Sequence, residues 1–328
     1  MIMDAHVHLL GIKPENGCIV GKKLLRGPAY PLLTRALQLQ GTPRERIDDA
    51  YADRIIAWAN LSELDAIGML AFDGVYDAQG RLDHARTQVM VGNDYCVEVC
   101  SRSPKLYPIC SINPQRRDAI DELHRVHELG AIAIKMLPNS QGFDPLDKAY
   151  KPFWQAMADL DLPLLTHTSF EHTIPPIDQL YGRPERLHLA LEQGVRVIAA
   201  HCAGSGVAHP FHEDFDTWLA MLSDHPNLYG DISAMGSVSR FPYIHRVLAS
   251  PLAISRVIMG SDFPVPTSPI VFLRQLGPRE VQRLSKITNP LQQNLETFRA
   301  LGVPDEVFTR AAKIFNLLEP HDALYNDA

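Results

Sequence analysis

The chain has 328 residues, of which 46% are hydrophobic and 21% charged, a balance typical of a folded protein with a large buried core. Its formal net charge of −7 lacks the basic excess of nucleic-acid-binding proteins, and no apolar run approaches the ~20 residues that span a bilayer. We therefore expect neither a nucleic acid nor a membrane as a partner.

The five cysteines are an odd number at scattered spacing, which is typical of reduced thiols and not of a disulfide framework. The N-terminus lacks the basic segment and the cleavage site of a secretory signal peptide. Both features predict a cytoplasmic protein.

Short apolar runs rich in β-forming residues recur along the chain and predict eight strands. In chain order these runs are 2–9, 66–72, 106–112, 131–137, 162–168, 195–201, 228–233 and 256–262. Most of them are continuously apolar and do not alternate with polar residues, as expected for parallel strands that helices cover from outside.

Helices are expected in the gaps between these strands, and the clearest of them are 43–64, 116–130, 152–161, 213–225 and 307–318. An apolar stripe on the second of these helices consists of Ile120, Leu123, Val126 and Leu129. Eight strands that alternate with helices predict an α/β fold, a (β/α)8 TIM barrel that forms a single domain over 1–328.

Three stretches do not fit the simple alternation: 10–42, 169–183 and 263–287. Each of them follows the C-terminal end of a predicted strand. Because that end of a TIM barrel carries the active site, we expect loop insertions at the C-terminal face that shape a pocket.

The first predicted strand, in MIMDAHVHLL, carries Asp4, His6 and His8 at alternate positions. Residues i and i+2 of a strand point to the same face, so these three side chains are expected to share one face. Two imidazoles side by side can bind one metal ion. Two ordinary polar residues in a solvated strand would give the same short pattern.

Ionisable residues also stand at or near the ends of four later strands: Lys135, His167, His201 and Asp262. The C-terminal ends of parallel barrel strands meet on one face, which would bring these residues to the two histidines of the first strand. Imidazole and carboxylate groups bind Zn²⁺, Mn²⁺ and Fe²⁺. The sequence therefore predicts a divalent metal centre, with zinc as the first expectation and manganese or iron as the alternatives.

A resemblance to the amidohydrolase superfamily of metal-dependent barrel enzymes is carried by the ordered set Asp4-Ala-His6-Val-His8, Lys135, His167, Ala200-His201 and Gly260-Ser261-Asp262-Phe263-Pro264. The set is most similar to the amidohydrolase-2 branch, which includes the relatives of aminocarboxymuconate-semialdehyde decarboxylase. The resemblance implies that His6, His8, His167 and Asp262 hold the metal. It also implies that Asp262 takes a proton from water, and that His201 acts as acid and base or binds a second metal.

Lys135 has three alternative interpretations. In binuclear members of the superfamily a carboxylated lysine on the fourth strand bridges two metals, and Lys135 stands on that strand. The other two interpretations are an anchor for an anionic substrate and an ordinary ion pair with a carboxylate. The small residues Ala131 and Ala133 suit a crowded barrel interior and predict that Lys135 points inward. The mononuclear branch generally lacks the bridge, so the resemblance favours one metal.

Further candidates stand at or beyond the strand ends. Asp4 is expected to orient a ligand imidazole as a supporting carboxylate. The candidates for substrate contact are Asn139, Glu171, His172 and Asp73. Three other polar residues at strand ends, which are also ordinary loop residues, are Asn113, Asp231 and Ser233.

The leading functional prediction is a metal-dependent hydrolase, in which an activated water attacks the carbonyl-type centre of an amide, a lactone or a related small molecule. The alternative is a metal-dependent non-oxidative decarboxylase that uses the same residues. A third hypothesis is a barrel that binds a metal or a ligand without turnover. We also expect a homodimer, since two-fold dimers are the commonest soluble oligomers.

Overall fold

The computed structural model describes residues 1–27, 29–171, 173–206 and 213–317. Its strands are Met3–His8 (β1), Ile19–Val20 (β2), Ala66–Leu70 (β3), Val89–Met90 (β4), Leu106–Ser111 (β5), Ala133–Met136 (β6), Leu164–Thr166 (β7), Val197–Ala199 (β8), Leu228–Asp231 (β9) and Val257–Ile258 (β10). Its α-helices are Lys22–Arg26 (α1), Ala29–Ala36 (α2), Ile47–Asn60 (α3), Asn93–Ser101 (α4), Ala119–Glu128 (α5), Pro138–Gln141 (α6), Lys151–Asp159 (α7), His188–Glu192 (α8), Asp214–Asp224 (α9), Phe241–Ala249 (α10), Pro251–Arg256 (α11), Leu273–Ser285 (α12), Pro290–Ala300 (α13) and Asp305–Ile314 (α14).

Eight of these strands form one parallel sheet in the order β1-β3-β5-β6-β7-β8-β9-β10. Backbone hydrogen bonds join β1 to the segment that directly follows β10: Ala5 N donates to the Met259 carbonyl at 3.0 Å and Asp262 N to the His6 carbonyl at 2.8 Å. Strands β2 and β4 pair separately as a small antiparallel sheet. The predicted TIM barrel is therefore confirmed. None of the helices in the described ranges is both long and apolar enough to cross a membrane.

Side chains fill the barrel in an inner layer that is separate from the layer under the helices. Met3, Ala133, Leu165 and Ile258 belong to the inner layer and are at most 1% exposed. Phe315, which follows α14, belongs to the same cluster. The expected site lies at the C-terminal ends of the strands.

A β-bulge in β1 changes which side chains enter the barrel. Asp4 pairs with Ile67 and Val7 with Met69, so three steps along β1 match two along β3. Met3 and Ala5 lie in the inner layer, whereas Val7 packs in the outer one. The expectation that Asp4 shares a face with His6 and His8 is therefore wrong, because the extra residue shifts the alternation between them.

All eight predicted strands are present, but each is shorter than the apolar run that predicted it. The last polar residues of these runs leave the ladder, as at His201, which has a left-handed φ of 58°. Of the stripe expected on α5, Leu123 and Val126 are buried, whereas Ile120 and Leu129 are 39% and 45% exposed. The apolar face of α5 is thus narrower than the sequence pattern suggested.

The three insertions lie where they were expected, after strand ends, but they are partly helical. The first contains β2, α1 and α2, and the third contains all of α12. Helix α12 bends at Gly277, whose φ is 75°.

Candidate metal centre

Three side chains at the C-terminal end of the barrel meet at one point. Nε2 of His8 lies 3.1 Å from Oδ1 of Asp262, and Nε2 of His6 lies 3.2 Å from the same oxygen. Ligand atoms of all three residues lie within 4.8 Å of one another. Ligands that share a divalent ion at about 2.0–2.2 Å lie about 3.0–3.5 Å apart, so two imidazoles and one carboxylate here fit such an ion.

The backbone around this cluster is built to let β1 and β10 approach closely. A Cβ added at Gly260 would lie 2.7 Å from Cβ of His6, so only glycine leaves room for the imidazole. Asp262 has a left-handed φ of 62°, which is unusual for a residue with a side chain. Glycine and the turned backbone together bring the carboxylate against both rings.

Asp231, at the end of β9, orients the His6 ring. Its Oδ2 lies 2.7 Å from Nδ1 of His6. The pKa of Asp231 is held well below its usual value, because the charge and the hydrogen bond of His6 outweigh the effect of burial, which would raise it. An ionised carboxylate only accepts, so Nδ1 of His6 carries a proton and Nε2 is the nitrogen that faces the centre and would bind a metal there.

The same carboxylate also positions His201. Oδ1 of Asp231 accepts a hydrogen bond from the His201 backbone N–H at 2.7 Å and contacts the hydroxyl of Ser233. Nδ1 of His201 lies 3.0 Å from the Ser233 carbonyl oxygen and 2.8 Å from its Oγ. Since a carbonyl only accepts, Nδ1 of His201 carries the proton and Nε2, 3.8 Å from Oδ2 of Asp262, carries the lone pair.

The charge states suit a metal centre with a base beside it. Burial would raise the pKa of Asp262, but interactions with His6 and His201 and a hydrogen bond with His8 hold it well below its usual value. Burial lowers the pKa of His201 well below its usual value, and the nearby charge of Arg240 adds to that effect. Asp262 is therefore a carboxylate and His201 a neutral imidazole at neutral pH.

Lys135 points inward, as its neighbours in the sequence predicted, and reaches the centre. It is 1% exposed, and its Nζ lies 3.2 Å from Nε2 of His6. Burial lowers its pKa to about 8, although Asp262 and Asp231 act in the opposite direction. Among the described residues no carboxylate lies within ion-pair distance of Nζ, so the simple ion-pair interpretation has no partner here. Its ammonium and a metal would compete for the same lone pair of His6.

His167 lies beside the centre, but its Nε2 is turned away from it. This nitrogen lies 3.3 Å from the Phe170 carbonyl oxygen and 3.5 Å from Oε2 of Glu171. The ring meets His201 edge to face, with centroids 5.3 Å apart. In the part of the chain that the structure describes, the cluster of ligand atoms comprises His6, His8 and Asp262 without His167, so the role of His167 as a ligand stays a prediction.

Asp4 does not orient an imidazole. Its Oδ1 accepts hydrogen bonds from the backbone N–H groups of His6 at 3.1 Å and Ser261 at 2.9 Å. The β-bulge explains the difference, because it moves the Asp4 side chain off the face that His6 occupies. The supporting role expected of Asp4 is filled by Asp231 in this structure.

Asn139 lies on α6 and Glu171 lies in the loop after β7, and both contact residues of that loop. Nδ2 of Asn139 donates to the Ser169 carbonyl at 2.8 Å. Oε1 of Glu171 accepts from the backbone N–H of Ile174 at 2.9 Å, while Oε2 faces His167. These contacts hold the loop in place. A contact between a substrate and Asn139 or Glu171 stays a prediction. His172 lies outside the described residues.

Asp73, just beyond the end of β3, lies in a polar network of its own. Its carboxylate accepts from the Asn113 N–H at 2.7 Å and from the Tyr76 hydroxyl at 2.9 Å, and Arg116 lies 3.5 Å away. It lines a cavity of about 810 Å³. Two other charged residues of this cavity, Glu122 and Arg125, form an ion pair with each other. Contact between Asp73 and a substrate stays a prediction.

Two residues near the candidate centre, Asp231 and Arg240, make contacts that their positions in the sequence do not reveal. Asp231 ends an apolar run, LYGDIS, and that position was the available signal for its role. Arg240 stands nine residues beyond the end of β9 and is only 9% exposed beside the centre. We find no local signal in the sequence that singles out this arginine.

The family model described as Amidohydrolase, of the amidohydrolase-2 branch, matches residues 3–286. No curated protein matches the chain. Similar solved structures include an uncharacterised TIM-barrel protein from Bordetella bronchiseptica, with a TM-score of 0.60 at 13% identity over 96% of this chain and 99% of that one. A protein assigned as a 2-pyrone-4,6-dicarboxylic acid hydrolase from Pseudomonas putida has a TM-score of 0.59 at 14% identity, over 97% and 98% of the two chains.

The 5-carboxyvanillate decarboxylase from Sphingomonas paucimobilis has a TM-score of 0.59 at 15% identity, over 96% of this chain and 98% of that one. At such identities these likenesses show a shared fold alone, whereas the family match covers most of the chain and confirms the resemblance read from its motifs. The chain belongs to the Amidohydrolase family, and it is an enzyme of a family whose members generally depend on a metal.

Proposed function

We propose that the chain is a metal-dependent hydrolase that cleaves an amide, a lactone or a related carbonyl-type bond of a small molecule. The observation that carries this proposal is the shared position of His6, His8 and the ionised Asp262. A protein that only binds a metal would need the three ligands and no acid or base beside them. Here a neutral imidazole, His201, also faces the second oxygen of Asp262 at 3.8 Å.

His6, His8 and Asp262 would hold the ion, with His167 as the candidate for a fourth ligand. Bound there, the ion would polarise the substrate carbonyl and acidify a water molecule. We propose Zn²⁺, because imidazole nitrogens and carboxylate oxygens are its usual ligands, although Mn²⁺ and Fe²⁺ accept the same groups.

The protein's own groups provide the proton transfers. Oδ2 of Asp262 is a carboxylate oxygen that can accept a proton from water. Nδ1 of His201 directs its proton to the Ser233 carbonyl, so Nε2 carries the lone pair that can receive the proton taken from water by Asp262 and deliver it to a leaving group. Asp231 keeps the His6 and His201 rings in these orientations.

The same residues would serve a non-oxidative decarboxylase. Two buried cations, Lys135 and Arg240, lie beside the centre and favour a substrate that carries a carboxylate. In that reaction Asp262 or His201 would first take a proton from water and then deliver it to the carbon that loses carbon dioxide.

A turnover panel of lactones, amides and carboxylated aromatics tests the proposal, with metal content measured in the same preparation. We expect metal-dependent hydrolysis of at least one lactone or amide. Asp262→Asn should lower that rate by about 10²-fold or more, the usual scale for the loss of a general base. Release of carbon dioxide in place of hydrolysis would establish the decarboxylase, and an unchanged rate in Asp262→Asn would contradict the role of this carboxylate in either reaction.

We also propose that the protein resides in the cytoplasm, since all five cysteines are free and buried, as is usual in a reducing compartment. Fractionation of cells that express the natural protein would test this proposal.

A further inference from the structure

Two histidines on the outside of the barrel face each other. His188 begins α8, and His225 directly follows α9. Nδ1 of His188 lies 3.1 Å from Nε2 of His225, and the ring centroids are 5.0 Å apart. His225 stands shortly before β9, so the pair lies towards the N-terminal ends of the strands, whereas the candidate metal centre lies at their C-terminal ends. The pair is therefore separate from the proposed active site.

Backbone contacts fix the elements that carry the two rings. The His225 N–H donates to the Met221 carbonyl at 3.0 Å, so this residue continues the hydrogen bonding of α9. Nδ2 of Asn227 donates to the carbonyls of Leu191 and Val195 at 3.0 and 2.8 Å, which ties the segment after α9 to α8 and to the segment before β8. Both histidines are half-buried, so solvent reaches the pair.

The distance between the two facing nitrogens suits neighbouring ligands of one metal ion. Imidazole nitrogens bind Zn²⁺ at about 2.0–2.1 Å, which places two of them about 2.9 Å apart at a right angle and about 3.4 Å apart at a tetrahedral angle. The observed 3.1 Å lies between these values. In the candidate metal centre the ring centroids of His6 and His8 are 5.2 Å apart, which is nearly the spacing of this pair.

A hydrogen bond between the rings uses a proton on one of the facing nitrogens and a lone pair on the other. A neutral imidazole can carry its proton on either nitrogen, so a change of tautomer in one ring presents two lone pairs without a change of charge. Among the residues that the structure describes, no thiolate, carboxylate or third imidazole joins the pair within 4.8 Å. The protein therefore offers two nitrogen ligands, and water would fill the remaining positions around an ion.

We propose that His188 and His225 form a second metal site, which binds a transition-metal ion such as Ni²⁺, Cu²⁺ or Zn²⁺ between α8 and α9. Imidazole suits these ions, whereas Mg²⁺ and Ca²⁺ prefer oxygen ligands. An ion held by residues of two elements binds the folded chain better than the unfolded one, so it stabilises the fold. Neither histidine takes part in the proposed function, and the site stands apart from it.

Calorimetric titration with Ni²⁺ tests this proposal on untagged enzyme whose candidate centre has been loaded with zinc and freed of excess metal, at about pH 7.5. We expect one further equivalent of Ni²⁺ to bind. His188→Gln and His225→Gln should each lower its affinity by about tenfold or more, because one of two protein ligands is lost. Saturating Ni²⁺ should raise the Tm of the unaltered protein by about 2 °C or more, and that of each variant by less than about 1 °C.

The matched control uses the two exposed histidines of α5, His124 and His127, which stand three residues apart on one helix. His124→Gln should bind the further equivalent as tightly as the unaltered protein does. His6→Ala separates the proposed site from the candidate centre, because it should keep the further equivalent.

Several results would overturn the inference. These are the absence of a further equivalent, an unchanged affinity in both His188→Gln and His225→Gln, and loss of the equivalent in His124→Gln or in His6→Ala. Loss in His6→Ala would place the ion at the candidate centre instead. Thermal unfolding without added metal shows whether each variant is folded, and either single variant of the pair keeps the test valid if the other does not fold.

Discussion

Replacing Asp231 by asparagine should weaken metal binding without unfolding the barrel. Oδ1 of the new side chain can still accept from the backbone N–H groups of His201 and Ser233, which lie 2.7 and 3.0 Å from it. The amide nitrogen, however, would stand 2.7 Å from Nδ1 of His6, where two N–H groups would face each other. To avoid this, His6 must move its proton to Nε2, and it then loses the lone pair that would bind the ion.

The loss of a carboxylate that supports a ligand histidine usually lowers metal affinity by about 10- to 100-fold. That range equals about 1.4 to 2.8 kcal/mol of binding free energy. Competition with a chelator of known affinity would measure it, and thermal unfolding of the metal-free protein would check the fold. Both measurements use the purified protein and need no substrate.

Asp4→Asn is the matched control, because Asp4 is equally buried and stands two residues before His6. Its Oδ1 accepts from the backbone N–H groups of His6 and Ser261, and an asparagine oxygen can accept the same two bonds. We expect less than a threefold change in metal affinity for this variant. If Asp231→Asn and Asp4→Asn bind metal equally well, the assignment of Asp231 as the group that orients His6 is refuted.

Three further predictions follow. His6→Ala should remove the metal and the activity while the barrel stays folded, and elemental analysis that finds full metal occupancy in this variant would contradict its role as a ligand. Lys135→Ala should keep its metal and raise KM in steady-state kinetics, because the variant loses a cation near the substrate and also a competitor for the lone pair of His6. Two metal equivalents per chain that fall in the Lys135 variant, and that a short carboxylic acid restores, would instead establish a binuclear centre. Light scattering should give the mass of a dimer, and a monomer mass at working concentration would rule out the expected assembly.

Much of the fold could be predicted from the sequence, because the pattern that specifies it is local. Continuous apolar runs mark strands that are covered on the outside, and the helices between them set the parallel order. Polar residues such as Lys135 and Asp262 stand out at the ends of these runs, so their convergence followed from the barrel alone. The family could also be inferred, because its motifs appear in order along the chain.

The partners of these residues depend on contacts that no local pattern encodes. His6 meets Asp231 across 225 residues, and Arg240 meets the Phe170 carbonyl across 70. The bulge in β1 arises from the way this strand pairs with β3, and it determines that Asp231 and not Asp4 supports the imidazole. The sequence by itself determined which strand ends carry reactive groups. Only the tertiary structure decided which of those groups face each other, because a shift of one residue in register reverses the face to which every later side chain points.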